Sequence, residues 1–170
     1  QDKSDDLKLL ELIARIKSDQ SSPMVQHYLS ESAGWTFDHP ELLIPERAFL
    51  HLLNNEGAQA IRLYNQLDEN KFTAVDFNRL GNAHLMVSDF DQALRYYDRA
   101  IELEPEEPSH LNNKGGALAR LQRFDLALEI YEQCLELDPE HTTAIEAKQK
   151  LLIKLNQSED VLNELNTTLE

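Results

Sequence analysis

The residue types that most often carry catalysis or bind metals are few in this chain and far apart. The six histidines never fall four residues apart on one helical face, and none lies at metal-ligand spacing from a second type of ligand. The histidines are His27, His39, His51, His84, His110 and His141. There is no glycine-rich phosphate loop and no nucleophile elbow. We therefore expect a protein that is not an enzyme and that takes no cofactor and no metal.

The charge of the chain limits the partners that it can have. Its 170 residues include 31 acidic and 16 basic side chains, for a formal net charge of −15. This charge opposes binding to nucleic acid and to anionic membranes, which are themselves polyanions. No apolar run approaches the roughly 20 residues that span a bilayer, so we expect no membrane insertion. A cytoplasmic location is favoured, and export stays open because the sequence begins with Gln1 and its start can have been trimmed.

The elements that must position any binding residues are predicted to be helices. With five glycines and six prolines, the chain has little of the turn punctuation of an all-β fold. The stretch "DFDQALRYYDRAIELEPEE" from Asp89 is followed 34 residues later by "RFDLALEIYEQCLELDPEH" from Arg123. This interval aligns Gly81 with Gly115, Phe90 with Phe124, Ala93 with Ala127, Tyr97 with Tyr131, Ala100 with Cys134, and Pro105 with Pro139.

The aligned positions have physical roles that together describe one repeated unit. Small residues are needed where two helices approach closely, and proline ends a helix because it has no amide hydrogen to donate. The unit is therefore helix, short turn, helix, stop. Cys134 stands where the other copy has Ala100, so we expect a cysteine packed in the core. As the one cysteine, it excludes an internal disulfide and a multi-cysteine metal site, and it fits a reducing compartment.

This pattern resembles the tetratricopeptide repeat family, whose period is 34 residues. Two good copies span 74–107 and 108–141, although Phe77 and Leu111 replace the usual tryptophan. A weaker copy at 41–73 keeps Ala48, Ala60 and Tyr64 but ends in "DENKF" without the proline, and residues 142–170 are predicted to form a degenerate pair of capping helices. The resemblance implies an all-α, right-handed α-solenoid of helix hairpins.

Residues 1–40 do not match the repeat and are predicted to form non-repeat helices. Leu9, Leu12, Ile13 and Ile16 share one helical face in "DDLKLLELIARIKS". One interpretation is a cap that covers the first repeat. The other is that this helix docks in the protein's own groove or on a second copy.

The resemblance also implies where a partner binds, because the first helix of each pair lines a concave surface in this family. Inward-facing positions are expected at Val75, Asn78, Arg79, Asn82, Leu85, Met86, Ser109, Asn112, Asn113, Gly116, Ala119 and Arg120, with Phe49, Leu53, Glu146, Lys150 and Lys154 from the weaker units. As the peptide-binding groove we predict Asn78, Arg79, Asn82, Met86, Asn112, Asn113, Arg120 and Lys150. We expect Asn82, Asn113 and Arg79 to be exposed.

The chemistry of these positions suggests the kind of partner. An asparagine amide can both donate to and accept from an extended backbone, and the predicted groove is neutral to basic inside an acidic shell. It therefore favours a peptide with acidic character or a free C-terminal carboxylate. Family members that bind chaperone C-termini need three basic residues, and this chain has Asn78, Thr143 and Ala147 there. A carboxylate clamp of that kind is not expected.

The function expected from these features is a non-catalytic scaffold that holds a partner peptide in its groove. A regulatory or targeting segment of a larger enzyme, a self-assembling structural module, and a polar concave face without a specific ligand stay open as alternatives. The full-length reading frame separates the enzyme segment from the scaffold. A mass that depends on concentration marks the self-assembling module.

Overall fold

Residues 40–168 are described by the computed structural model, with side-chain surroundings given for 44–156. Over 40–168 the chain is all-α, as the sequence predicts, and has no strand. Its α-helices are α1 (Pro40–Leu53), α2 (Gly57–Tyr64), α3 (Ala74–Met86), α4 (Phe90–Leu103), α5 (Pro108–Arg120), α6 (Phe124–Leu137) and α7 (Thr142–Thr168). A short 3-10 helix, Glu69–Lys71, lies between α2 and α3. The predicted non-repeat helices at 1–40 fall almost wholly outside the described residues.

The repeat is visible in the backbone as three turns of the same geometry. Asn55, Ser88 and Gln122 have φ angles of 60°, 62° and 59°, the left-handed region, and each follows the first helix of a pair. In each case the next amide donates to a carbonyl five residues earlier, with N···O distances of 2.8, 2.9 and 3.0 Å. These hydrogen bonds satisfy the carbonyls that a helix end leaves without partners.

Local capping explains where the first helices of the two good repeats begin. Thr73 and Asp76 form a reciprocal capping box at α3: the Thr73 hydroxyl accepts from the Asp76 amide at 3.2 Å, and the Asp76 carboxylate accepts from the Thr73 amide at 3.0 Å. At α5 the Glu107 carboxylate accepts the Ser109 amide at 3.2 Å, and Pro108 occupies the first turn.

The chain divides into two compact units, the first of which ends at Tyr96. Its core contains the small and aromatic residues that the weak first repeat predicts, with Ala48, Ala60 and Tyr64 all buried. Three ring contacts extend this core through Phe72 and Phe77, and their centroids are 5.4 to 6.3 Å apart. α2 has 8 residues and ends at Tyr64, so it is six residues shorter than α4 and α6, which have 14 each. The 3-10 helix follows it.

The second unit begins at Tyr97 and contains α5, α6 and α7. α5 and α6 approach so closely at Gly115 that a Cβ there would lie 2.6 Å from Cε1 of Tyr131. This contact confirms the small-residue role predicted for Gly115. Cys134 is fully buried, as predicted, and its thiol donates to the Pro108 carbonyl at 3.2 Å. Burial raises the pKa of the thiol, so Cys134 is a structural residue of the core.

The predicted pair of capping helices after residue 141 is wrong, because α7 is a single helix of 27 residues. The physical reason is that no glycine or proline interrupts Thr142–Thr168. Without a residue that leaves the helical region or lacks an amide hydrogen, the backbone hydrogen bonds continue. No described helix is long and apolar enough to cross a membrane.

Candidate peptide-binding surfaces

The histidines of the described region serve the fold. His51 and His84 stand at equivalent positions and pair through Nδ1 with Glu56 at 2.6 Å and with Asp89 at 3.1 Å, across the turn between the helices of a pair. His110 is buried, and His141 Nδ1 accepts the Ala144 amide at 3.3 Å at the start of α7. Within residues 44–156 no three histidine, cysteine or acidic side chains are grouped so that they could hold a metal ion.

In the first unit, the predicted groove residues lie on α3 beside α1. Met86 is exposed, whereas Asn78 and Asn82 are half-buried. Arg79 is not the exposed cation that the sequence predicts, because only 14% of its side chain is accessible. Its guanidinium lies 4.4 Å from the ring centre of Phe49 and 3.8 Å from a carboxylate oxygen of Glu46. α1 therefore covers and neutralises Arg79.

The neighbourhood of Arg79 is a half-buried polar cluster. Glu46 is the acid that sequence reasoning missed, although it stands one helical turn before Phe49, which was expected on the same face. Burial raises the pKa of the nearby Tyr64 hydroxyl far above its usual range. The face of the first unit thus presents amides and Met86, with no net charge from the Arg79–Glu46 pair.

In the second unit, residues of α5, α6 and α7 line an open pocket with a volume of about 480 Å³. We call it the Arg120 pocket, and its lining residues are Gly116, Ala119, Arg120, Phe124, Tyr131, Ala147, Lys150, Leu151 and Lys154. It brings together two of the predicted site residues, Arg120 from α5 and Lys150 from α7. Asn112 and Asn113 are half-buried on α5 and do not line it.

Small residues on facing helices create the space in this pocket. Gly116 and Ala119 on α5 and Ala147 on α7 project little or no side chain. A Cβ built on Gly116 would lie 3.9 Å from the Tyr131 hydroxyl, an ordinary contact, so a small side chain fits at this position. Tyr131 and Leu151 are buried beneath and give the pocket an apolar floor. Burial raises the pKa of the Tyr131 hydroxyl, which stays neutral at neutral pH.

The rim of the Arg120 pocket carries three cations. Arg120 is exposed at the end of α5 and makes no ion pair within the described region. Lys154 Nζ lies 4.7 Å from the ring centre of Phe124. Lys150 Nζ is 3.4 Å from Glu146 Oε2, in a pair whose side chains are 77% and 58% exposed. Exposed pairs of this kind are weakly held, so Lys150 can exchange Glu146 for another carboxylate.

Sequence reasoning missed Phe124 and Leu151 as pocket residues. Phe124 aligns with Phe90 in the repeat, which makes it look like a packing residue of the second helix. Its ring nevertheless forms one wall and supports Lys154. The spacing of Lys150 and Lys154, one turn apart on α7, was the available signal that this end of the chain concentrates positive charge on one face.

Comparison with known proteins agrees with this architecture. The tetratricopeptide repeat family model matches residues 78–142. The first tetratricopeptide domain of human RPAP3 superposes with a TM-score of 0.64 at 23% identity, covering 72% of this chain and 97% of that one. The Arabidopsis OM64 domain gives 0.61 at 20% identity, covering 67% and 95%. The first such domain of Spaghetti (RPAP3), bound to the HSP90 peptide SRMEEVD, gives 0.62 at 21%, covering 71% and 97%.

These findings define the class of protein. Residues 78–142 match the tetratricopeptide repeat family, and over residues 40–168 the fold is an all-α helical solenoid of that type. Because these solved structures are less than 25% identical to the chain, their likeness shows its fold alone.

Proposed function

We propose that this chain is a non-catalytic scaffold that binds a peptide segment of a partner protein on the faces of its first helices. The observation that carries the proposal is the Arg120 pocket, which combines an apolar floor with three cations in a chain of net charge −15. Ligand sites in proteins are typically concave and apolar with a few placed polar groups. The pocket carries positive charge in a chain whose net charge is negative, which favours a ligand with carboxylate groups.

The peptide proposed for this chain differs from the chaperone peptides that its structural neighbours bind. The Spaghetti domain binds a peptide ending in EEVD, and its relative the second tetratricopeptide domain of human RPAP3 binds the HSP70 peptide SGPTIEEVD. In this chain the positions that the family uses for a carboxylate clamp hold Asn78, Thr143 and Ala147, none of which is charged. We therefore place the acidic contact at the Arg120 pocket and expect no preference for EEVD termini.

The test compares affinity capture by the native chain with capture by an Arg120→Ala, Lys150→Ala variant. Both side chains are exposed, so their removal leaves the core intact. The matched control is Arg123→Ala, which removes an exposed cation three residues from Arg120 and outside the pocket. Arg79→Ala is unsuitable because it removes the partner of the half-buried Glu46 carboxylate.

The expected result is a protein that binds the native and control baits and is lost from the double variant. Equal recovery on all three baits would refute binding at this surface. Circular dichroism of each bait establishes that the variants are folded.

Self-association is the second candidate, and one observation favours it. Leu152 and Ile153 on α7 are 41% and 57% exposed, more than isolated apolar residues of a covered helix would be. Sedimentation of the native chain over a range of concentrations tests this. A mass that rises with concentration and returns to the monomer value in a Leu152→Gln, Ile153→Gln variant would support assembly through α7.

A further inference from the structure

The Arg120 pocket combines two features that select different parts of a ligand. Its walls and floor are apolar, with Phe124 on one side and Leu151 below. The space left by Gly116, Ala119 and Ala147 is open to a side chain that enters between α5 and α7. An apolar side chain of a partner is therefore removed from water when it fills this space, which stabilises the complex.

The cations are arranged along the rim and not at a single point. Lys150 and Lys154 stand one turn apart on α7, which separates their Cβ atoms by about 6 Å. Arg120 faces them from α5. A single terminal carboxylate can engage one of Arg120 and Lys150, whereas successive acidic side chains can engage both. The row therefore fits an internal acidic segment better than a chain terminus.

The acidic surface of the rest of the chain makes this row distinctive. Long-range attraction cannot bring an acidic segment to a protein of net charge −15. At physiological ionic strength the screening length is about 8 Å, so a ligand in the pocket responds mainly to the cations on its rim. Recognition is then a close-range event that requires the apolar contact and the carboxylates together.

From these features we infer that the Arg120 pocket binds an internal, acidic segment of a partner protein in which a large aliphatic or aromatic residue is flanked by Asp or Glu. The apolar side chain occupies the space over Leu151, and the flanking carboxylates pair with Arg120 and Lys150. A carboxylate at Lys150 takes the place of Glu146, whose exposed ion pair is easily given up. This inference rests on the proposed function and names the partner's chemistry.

The test uses three fluorescein-labelled, C-terminally amidated peptides in one glycine–serine background. The first has a leucine flanked by glutamates. In the second the glutamates are glutamines, and in the third the leucine is alanine. Fluorescence anisotropy with the full chain is measured at about 0.15 M salt, where screening limits distant charges. We expect the first peptide to bind at least about tenfold more tightly than either of the others, since each loses one of two required contacts.

Two changes in the protein test the location. Gly116→Leu places a large side chain in the pocket; its Cβ would lie 3.9 Å from the Tyr131 hydroxyl, an ordinary contact. Arg120→Ala with Lys150→Ala removes the rim charge, and Arg123→Ala is the control. We expect about tenfold weaker binding for Gly116→Leu and for the double variant, and a change within about twofold for Arg123→Ala.

The inference is overturned if the first peptide does not bind, if the glutamine peptide binds equally well, or if the pocket variants bind like the native chain. If the native chain self-associates and Gly116→Leu abolishes this, the occupant is a second copy and the inference of a partner protein fails. The proposed function is judged separately by capture. A partner lost from the Arg120→Ala, Lys150→Ala bait sustains it even when the acidic peptide fails, and a partner retained on that bait refutes it.

Discussion

The adjacent glycines of α5 provide the sharpest prediction, because the same substitution is expected to have opposite signs at the two positions. Alanine is favoured over glycine inside a helix by about 1 kcal/mol, since it restricts the unfolded chain. At Gly116 a Cβ meets only the Tyr131 hydroxyl, at 3.9 Å, which is an ordinary contact. We expect Gly116→Ala to raise the free energy of unfolding by about 1 kcal/mol and the Tm by about 2–4 °C.

At Gly115 the same methyl group has no room. Its Cβ would lie 2.6, 2.9 and 3.0 Å from three ring carbons of Tyr131, whereas carbon atoms pack at about 3.5–4.0 Å. Tyr131 is 3% exposed and cannot swing into solvent. Overpacking of this kind costs about 1–3 kcal/mol, which exceeds the helix-propensity gain. We expect Gly115→Ala to lower the free energy of unfolding by about 1 kcal/mol net.

Urea denaturation followed by circular dichroism measures both variants on one scale. The double variant Gly115→Ala, Tyr131→Leu supplies the control. It should be less destabilised than the sum of its single changes, because removal of the ring relieves the clash. If Gly115→Ala and Gly116→Ala shift stability in the same direction and by the same amount, the close approach of α5 and α6 is misplaced.

Three further outcomes follow from the helix ends. Gln122→Gly should stabilise the chain by about 1 kcal/mol in urea denaturation, because Gln122 holds a φ of 59° that glycine adopts without strain. Thr73→Ala should cost about 1 kcal/mol by losing the cap of α3, measured in the same way. The hydrogen bond from Ser109 lowers the folded-state pKa of Glu107, so its stabilisation should be present above about pH 4.3 and lost as the pH falls through that lowered value. The difference in stability between native and Glu107→Gln chains, measured from pH 7 downward, should shrink over this range.

Each of these outcomes has its own control. Thr73→Ser keeps the capping oxygen and should change stability by no more than a few tenths of a kcal/mol. An unchanged urea midpoint for Gln122→Gly would contradict the left-handed turn after α5. A native chain and Glu107→Gln variant that differ by a constant amount across the acid range would mean that the Ser109 hydrogen bond has no influence on titration.

Much of the fold could be predicted because the repeat imposes the same physical demand at the same interval. Ala93 and Ala127 are fully buried, Tyr97 and Tyr131 are both buried, and the turns at Ser88 and Gln122 share one geometry. The weak first copy was also recognisable from its small and aromatic positions. The end of the chain was not, because a degenerate repeat and a long single helix have the same apolar spacing, and only the absence of a glycine or proline separates them.

The candidate site was harder to predict for a different reason. Helical periodicity predicts that Arg79 on α3 and Arg120 on α5 both lie at inward-facing positions, so the sequence does not distinguish them. Arg79 is covered by Phe49 and neutralised by Glu46, both from α1. Arg120 is left exposed beside the small residues of its own helix. The difference comes from which neighbouring helix faces each arginine, and periodicity within one helix carries no such information.

The amino-acid sequence by itself determined the helical class, the repeat, its small and aromatic packing positions and the burial of Cys134, because these depend on local spacing and on the sizes of side chains. The tertiary structure decided which cations are available, that Phe124 serves as a wall as well as a packing residue, and that Gly116 opens a space while Gly115 closes a contact. Those properties depend on the distance between helices that are far apart in sequence, and that distance is set only when the helices pack.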